Sequence, residues 1–177
     1  MEATEPADRF VFYHADRSAS LQENQPLVLD EYQLSRFGRT YWPAFEQKQP
    51  HEMTDTELRE FRLEQVRTHP NYQLFASRLQ SIFAANSIAE AIIFAQQITP
   101  RPVHPIPIIE IYAERFWTLD SNWLDYVNDA EQIDNYHKYW SGRISNHRPA
   151  TGDRRPPRLE VMIALPARTG KIVHTVR

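Results

Sequence analysis

The spacing of apolar residues along the chain predicts two helices in its first half. Residues 54–57 have the Ser/Thr-x-x-Glu spacing of a capping box, and apolar residues recur every three to four positions over 58–66 until Pro70 interrupts the pattern. The same capping spacing returns at 87–90 and leads into the apolar run 91–95. Each pattern is typical of an amphipathic helix that begins at its capping residue.

Short runs of β-branched and aromatic residues predict strands elsewhere in the chain. The runs expected to form strands are 10–14, 78–84, 106–113, 159–165 and 171–176, with a second short apolar piece at 27–29. The run 78–84 is also compatible with a helical start from Asn71. Prolines in the strand 106–113 are expected at its start or on an exposed edge, because proline lacks a ladder donor.

The remaining segments are predicted to connect these elements. Residues 35–43 mix aromatic residues and arginines around Gly38 and are expected to form a structured loop. Residues 122–126 and 136–140 are expected to be short helices or helical turns, with Gly142 as a break. Together the elements predict an α+β domain spanning residues 1–177, with an N-terminal tail at 1–9 and an exposed loop at 146–157.

Composition narrows the possible chemistry. The chain has 177 residues, of which 41% are hydrophobic and 24% charged, which indicates one globular domain. It has no cysteine, which excludes disulfides, thiolate zinc sites and a cysteine nucleophile. A formal net charge of -3 argues against non-specific binding to nucleic acid through a global basic field.

Common catalytic and targeting signatures are also missing. With four glycines, the chain contains no P-loop, no dinucleotide-binding glycine fingerprint and no Gly-x-Ser-x-Gly turn, and it has no His-Glu-x-x-His metal motif. The N-terminal residues lack the apolar core of a signal peptide, and no apolar run is long enough to span a bilayer. We therefore expect no metal and no membrane partner. The expected location is the cytoplasm, or a target cell reached without a cleaved signal peptide.

Three segments follow one another along the chain: Phe12-Tyr13-His14 at the end of a predicted strand, residues 81–95 from a strand into a capped helix, and a late strand at 159–164 that contains a glutamate. This order resembles the ADP-ribosyltransferase superfamily. Phe12-Tyr13-His14 resembles the first-strand motif of the His-containing branch, which includes diphtheria toxin and the poly(ADP-ribose) polymerases. Residues 81–95 resemble the second motif, a strand leading into a helix beside the nicotinamide pocket, and 159–164 resemble the strand that presents the catalytic glutamate. The start of the chain is also similar to an uncharacterised bacterial domain family that opens with Tyr-His-x-x-Arg-x-x-x-Leu.

The resemblance implies a single ADP-ribosyltransferase-like domain with split antiparallel sheets and flanking helices. It implies cleavage of the nicotinamide–ribose bond of NAD, bound as substrate, and transfer of ADP-ribose to a protein or nucleic-acid acceptor, as in a bacterial toxin or effector. Glu160 would stabilise the cationic transition state, and His14 would hydrogen-bond a ribose hydroxyl. The residues expected to contact NAD are Tyr13, His14, Ala15, Arg17, Phe83, Ser87 and Phe94.

The chain departs from the pattern of this superfamily at three places. Ala15 and Asp16 follow His14 where Gly or Thr is common, and Phe94 lies near the position expected for a pocket tyrosine. Arg158 stands two residues before Glu160, where an arginine-directed transferase would usually have a second glutamate. This difference disfavours arginine side chains as acceptors. A non-catalytic member of the fold, retained as an interaction module, is the alternative function.

Each candidate also has a structural interpretation. His14 could be an ordinary strand-end histidine, and strand alternation could direct Glu160 to solvent. For Ser87 we prefer the helix cap to a nicotinamide contact. Arg17 and Arg36 are candidate diphosphate ligands or surface residues, while Tyr41 and Trp42 either line a cleft or cover the core. The arginines of 143–158 could receive a nucleic-acid or acidic protein target, or belong to a solvated loop.

Overall fold

The structure is a computed structural model that describes residues 10–125, 131–145 and 156–177. Its strands are β1 (Phe10–Ala15), β2 (Pro26–Leu27), β3 (Ser81–Ala84), β4 (Ile106–Ala113), β5 (Phe116–Asp120), β6 (Leu159–Ala164) and β7 (Ala167–Val176). Its α-helices are α1 (Arg36–Gln47), α2 (Asp55–Arg67), α3 (Ile88–Gln97) and α4 (Gln132–Trp140). Among the described residues, no helix has the length and apolar character needed to cross a bilayer.

The strands form two antiparallel sheets that meet beside β1. One sheet has the order β1-β4-β7-β2, and the other has the order β3-β6-β5. Where they meet, the Tyr13 amide donates to the Ala85 carbonyl at 3.0 Å and the Ala85 amide donates to the Tyr13 carbonyl at 2.8 Å. This pair of hydrogen bonds places the end of β1 next to the end of β3.

The helices cover the two sheets on an apolar core. Leu63 of α2 and Tyr139 and Trp140 of α4 are fully buried against β5 and β6, and the Trp140 indole donates to the Leu63 carbonyl at 2.9 Å. Helix α3 instead buries Ala91 and Ala95 against the first sheet. The described residues thus form a single mixed domain of α-helices and antiparallel sheets, as the patterning predicted.

Several predicted elements are confirmed. Helices α2 and α3 begin after Thr54 and Ser87, and both capping boxes are formed. Strand β4 occupies the predicted residues, with Pro107 at its second position. Helix α4 ends before Gly142, whose φ of 70° is in the left-handed region that glycine adopts readily.

The prediction of a loop at 35–43 is wrong, because helix α1 occupies most of that segment. The Ser35 hydroxyl caps it by accepting from the Gly38 amide at 3.1 Å, and Pro43 lies within the helix. Gly38 does not break the helix but lets it approach Leu79 closely: a Cβ at this position would lie 2.1 Å from the Leu79 carbonyl oxygen.

Other boundaries differ from the prediction. Residues 78–80 form a 3₁₀ turn ahead of β3, and the helical start considered near Asn71 is a 3₁₀ turn at 70–72. Strand β5 was not predicted, β7 begins at Ala167, and β2 is shorter than the apolar piece at 27–29.

The predicted tail and parts of the predicted loop and helical turn lie outside the described residues. The helical turn predicted at 122–126 spans Ser121–Leu124, and Tyr126 lies outside the described residues. The predicted tail 1–9 and most of the loop 146–157 also lie outside them, while Pro156 and Pro157 are exposed.

Candidate functional site

A cavity of about 220 Å³ opens where the two sheets meet, with α3 as one wall. Six of the residues predicted from the sequence line it: Tyr13, His14, Ala15, Phe83, Phe94 and Glu160. They come from the end of β1, from β3, from α3 and from β6. The fold therefore brings all three motifs of the sequence to one cavity, with Glu160 and His14 both on its wall.

The His14 ring is fixed by its contact with β3. Its Nδ1 lies 2.6 Å from the Phe83 carbonyl oxygen. Because a carbonyl only accepts, Nδ1 carries the proton, and in the neutral ring Nε2 is left as an acceptor. Burial lowers the pKa of His14 below its ordinary value of 6.5, which favours the neutral ring.

Glu160 is held from one side and is not directed to solvent. Its side chain is 13% exposed, and its Oε1 accepts from Arg78 Nη1 and from the Tyr139 hydroxyl, both at 2.6 Å. None of the described residues hydrogen-bonds Oε2. The carboxylate therefore has one oxygen fixed by the protein and one without a protein donor in the described part of the chain.

Arg78 connects Glu160 to the helical layer. The guanidinium is 6% exposed, and its Nε donates to Glu60 Oε2 of α2 at 2.8 Å. It lies over the Phe83 ring, 4.4 Å from the ring centroid. Arg59, more exposed, also contacts Glu60 at 3.2 Å. Buried charges of opposite sign are thus paired from α2 through to the cavity wall.

The electrostatics of this cluster keep Arg78 charged and Tyr139 neutral. Burial alone would lower the pKa of Arg78, but the neighbouring carboxylates of Glu60 and Glu160 raise it well above its ordinary value. Burial raises the pKa of the Tyr139 phenol well above its usual range, and Glu160 adds to the effect. The phenol therefore stays protonated and donates its hydrogen to Glu160.

Sequence reasoning missed Glu60, Arg78 and Tyr139. One signal was present, because Glu60 precedes the apolar Leu63 and Val66 of α2 by three and six residues and so falls on the buried stripe of that helix. A carboxylate on a buried stripe requires a cationic partner. Nothing in the sequence identified Arg78 as that partner.

Three residues considered as NAD or diphosphate contacts do not line the cavity. Ser87 caps α3, its hydroxyl accepting from the Glu90 amide at 3.2 Å, as the preferred interpretation held. Arg17 is exposed and donates to the Pro100 carbonyl at 3.2 Å. Arg36 is also exposed and donates to the Ser18 hydroxyl at 2.8 Å.

The unusual Asp16 after His14 has a local structural role. Its buried carboxylate accepts from the amides of Ser20 and Leu21, each at 2.7 Å. Burial alone would raise the pKa of Asp16, but these hydrogen bonds and one from Ser18 hold it below the ordinary value. Asp16 therefore organises the turn that follows β1.

A second cavity of about 560 Å³ adjoins the first and shares the Phe94 wall. Arg158 and Leu159 line it, and the Arg158 guanidinium pairs with Asp125 at 2.7 Å. Tyr41 and Trp42, on α1, line neither of these two cavities. Among the described residues, no group of three or more histidine or carboxylate side chains is arranged to bind a metal.

The fold and the cavity together define the class of protein. It is a single mixed domain whose two antiparallel sheets meet at a cavity lined by a histidine, a carboxylate and aromatic rings. The chain belongs to the family described as protein of unknown function (DUF2441), whose family model matches residues 44–152, more than half of its length. Arg78 and Phe83 lie inside the matched range, whereas His14 and Glu160 lie outside it. No curated protein matches the chain.

Proposed function

We propose that the chain is an NAD-dependent ADP-ribosyltransferase, which breaks the bond between nicotinamide and ribose and transfers ADP-ribose to a macromolecular acceptor. The observation that carries the proposal is that Glu160 and His14, from strands at opposite ends of the sequence, line one cavity beside aromatic rings. The arrangement in two antiparallel sheets with flanking helices also agrees with what the sequence resemblance implies.

The size of the cavity suits one ring of the dinucleotide. Cavities that hold a whole drug-sized ligand are usually ~300–1,000 Å³, and the volume here is about 220 Å³. Nicotinamide would fit in it, with Phe83 and Phe94 as apolar walls. The remainder of NAD would extend beyond the cavity.

Breaking the nicotinamide–ribose bond moves its electron pair to the ring nitrogen and leaves positive charge on the ribose. The Glu160 carboxylate on the cavity wall would stabilise that charge, and its Oε2 could accept from a ribose hydroxyl. Nε2 of the neutral His14 ring can accept from another hydroxyl. A nucleophile of the acceptor then bonds to the ribose carbon and releases its proton to solvent.

The proposal is tested by measuring nicotinamide release from NAD, with and without a cell lysate as a source of acceptor. Glu160→Gln removes the charge and keeps the shape, so we expect kcat to fall by ~10²–10³-fold, as for loss of one stabilising group in a preorganised site. The matched control is Glu46→Gln, because Glu46 is exposed on α1.

The control variant should retain the wild-type rate. If the wild-type protein releases no nicotinamide in either condition, or if Glu160→Gln matches it, the transferase proposal is wrong, and the non-catalytic interaction module becomes the better interpretation. Transfer of labelled ADP-ribose to a lysate component, lost in Glu160→Gln, would identify the acceptor as protein or nucleic acid.

A further inference from the structure

The two groups that hold Glu160 come from different parts of the fold and bind the same oxygen. Arg78 belongs to the 3₁₀ turn ahead of β3, and Tyr139 belongs to α4. Both donate to Oε1 of Glu160 at 2.6 Å. Two donors that converge on one carboxylate oxygen restrict rotation of the carboxylate, and they leave Oε2 without a donor from the described residues.

Arg78 is itself fixed on several sides. Its Nε donates to Glu60 at 2.8 Å, and its guanidinium carbon lies 4.4 Å from the Phe83 ring centroid and 5.5 Å from that of Phe37. The Phe83 ring is also held, because Phe37 packs edge-on against it at 4.9 Å. The orientation of Glu160 is therefore determined by buried neighbours that cannot reorient independently.

We infer that Arg78 and Tyr139 are positioning residues, which hold the Glu160 carboxylate so that its Oε2 selects a positively charged ring over a neutral one of the same size. The inference rests on the proposed function in taking the ligand of the cavity to be a cationic pyridinium. It goes beyond that function by assigning the selection to two residues that do not themselves line the cavity.

The charge of Arg78 makes this role distinguishable from a purely electrostatic one. A guanidinium beside the cavity repels a cation, so a role limited to charge predicts that removing it strengthens binding of a cationic ring. A positioning role predicts the opposite, because Glu160 loses its fixed orientation. The sign of the change decides between the two roles.

The experiment compares two probes by calorimetry: 1-methylnicotinamide, which carries a permanent positive charge, and nicotinamide, which is neutral. The readout is the ratio of their Kd values in the wild-type protein, Tyr139→Phe, Arg78→Lys and Arg78→Met. Tyr136→Phe is the matched control, since Tyr136 is a buried neighbour on α4 whose hydroxyl has no hydrogen-bond partner among the described residues.

We expect the wild-type protein and Tyr136→Phe to prefer the cationic probe. Tyr139→Phe removes the hydroxyl that donates to Glu160 and accepts from Arg78 Nη1. It should therefore reduce the preference by at least ~10-fold, the usual scale for loss of a hydrogen bond to a charged group. Arg78→Met should reduce the preference as well, although it removes a positive charge. The ratio for Arg78→Lys should lie between those of the wild-type protein and Arg78→Met. Tyr139→Phe and Arg78→Lys keep the test decisive if Arg78→Met does not fold.

The inference is overturned if the wild-type protein shows no preference, if Tyr139→Phe keeps it, or if Arg78→Met strengthens binding of the cation. Its failure is distinct from failure of the transferase proposal. A protein with the expected ratios that releases no nicotinamide from NAD would refute the catalysis and support the positioning role. Nicotinamide release that depends on Glu160, together with a Kd ratio that is unchanged in Tyr139→Phe, would support the catalysis and refute the positioning role.

Discussion

Gly38 provides the sharpest test of how the helical layer supports the cavity. It lies in the first turns of α1 and faces the backbone of the 78–80 turn that carries Arg78. A Cβ added there would lie 2.1 Å from the Leu79 carbonyl oxygen and 2.9 Å from the carbonyl carbon. These are backbone atoms, so no side-chain rotation relieves the overlap.

Two effects of Gly38→Ala oppose each other. Alanine is favoured over glycine in a helix interior by ~1 kcal/mol. Overpacking a well-filled site costs ~1–3 kcal/mol, and a clash with backbone places this case at the upper end. We expect the free energy of unfolding to fall by about 2 kcal/mol and Tm by about 4–8 °C for a chain of this size.

The measurement is urea unfolding together with thermal melting. Thr40→Ala is the control, because Thr40 is exposed on the same helix and should change stability by less than ~0.5 kcal/mol. Displacement of the 78–80 turn should also slow nicotinamide release in Gly38→Ala. A Tm that is unchanged or raised would show that α1 is not packed against Leu79 as described, because helix propensity would then dominate.

Three further predictions concern other parts of the structure. Ser87→Ala removes the cap of α3 and should lower stability by ~1 kcal/mol in urea unfolding without changing nicotinamide release; slower release would place Ser87 at the reaction. Glu60→Gln leaves Arg78 with one fewer buried charge partner, so unfolding should become easier by ~1.5–3 kcal/mol, whereas an unchanged value would contradict the pairing. Because the pKa of folded His14 lies below its ordinary 6.5, the unfolded chain binds the extra proton: stability should decline as pH falls below 6.5 and stay level above it. His14→Asn should remove the contribution of His14 to this pH dependence, measured as the difference in the free energy of unfolding between pH ~5 and pH ~7.5. The same difference in the variant and the wild-type protein would contradict a lowered pKa of His14.

The elements that sequence patterning predicted well are those with a local signal. Both capping boxes fix helix starts through bonds within four residues of the chain, and strand β4 is an apolar run long enough to identify. Helix α1 was missed because Gly38 suggested a loop. The glycine is instead required by the close approach of Leu79, which lies 41 residues further along the chain. Strand β5 was missed because five residues pairing with β6 give little local pattern.

The candidate site shows the same division. His14 and Glu160 were identified as candidates because they lie in motifs that carry a resemblance, and the resemblance implies that both act on NAD. Their supporting groups could not be found in that way, because the contacts that join Arg78 to Glu60, and Arg78 and Tyr139 to Glu160, span 18 to 82 residues of chain. Tertiary packing, rather than any spacing in the sequence, assigns Arg78 its two carboxylates.

The buried charges themselves argue for a role at the cavity rather than in stability. Removing paired charges from water is unfavourable enough that well-packed apolar residues in their place are often neutral or stabilising. A chain selected for stability alone would therefore gain little from burying Arg78 at 6% exposure between Glu60 and Glu160. The arrangement does provide a carboxylate of fixed orientation on the wall of an aromatic cavity, which is what stabilising a transient cation requires. The variants that loosen Glu160 should therefore weaken cation selection even where they leave the folded structure intact.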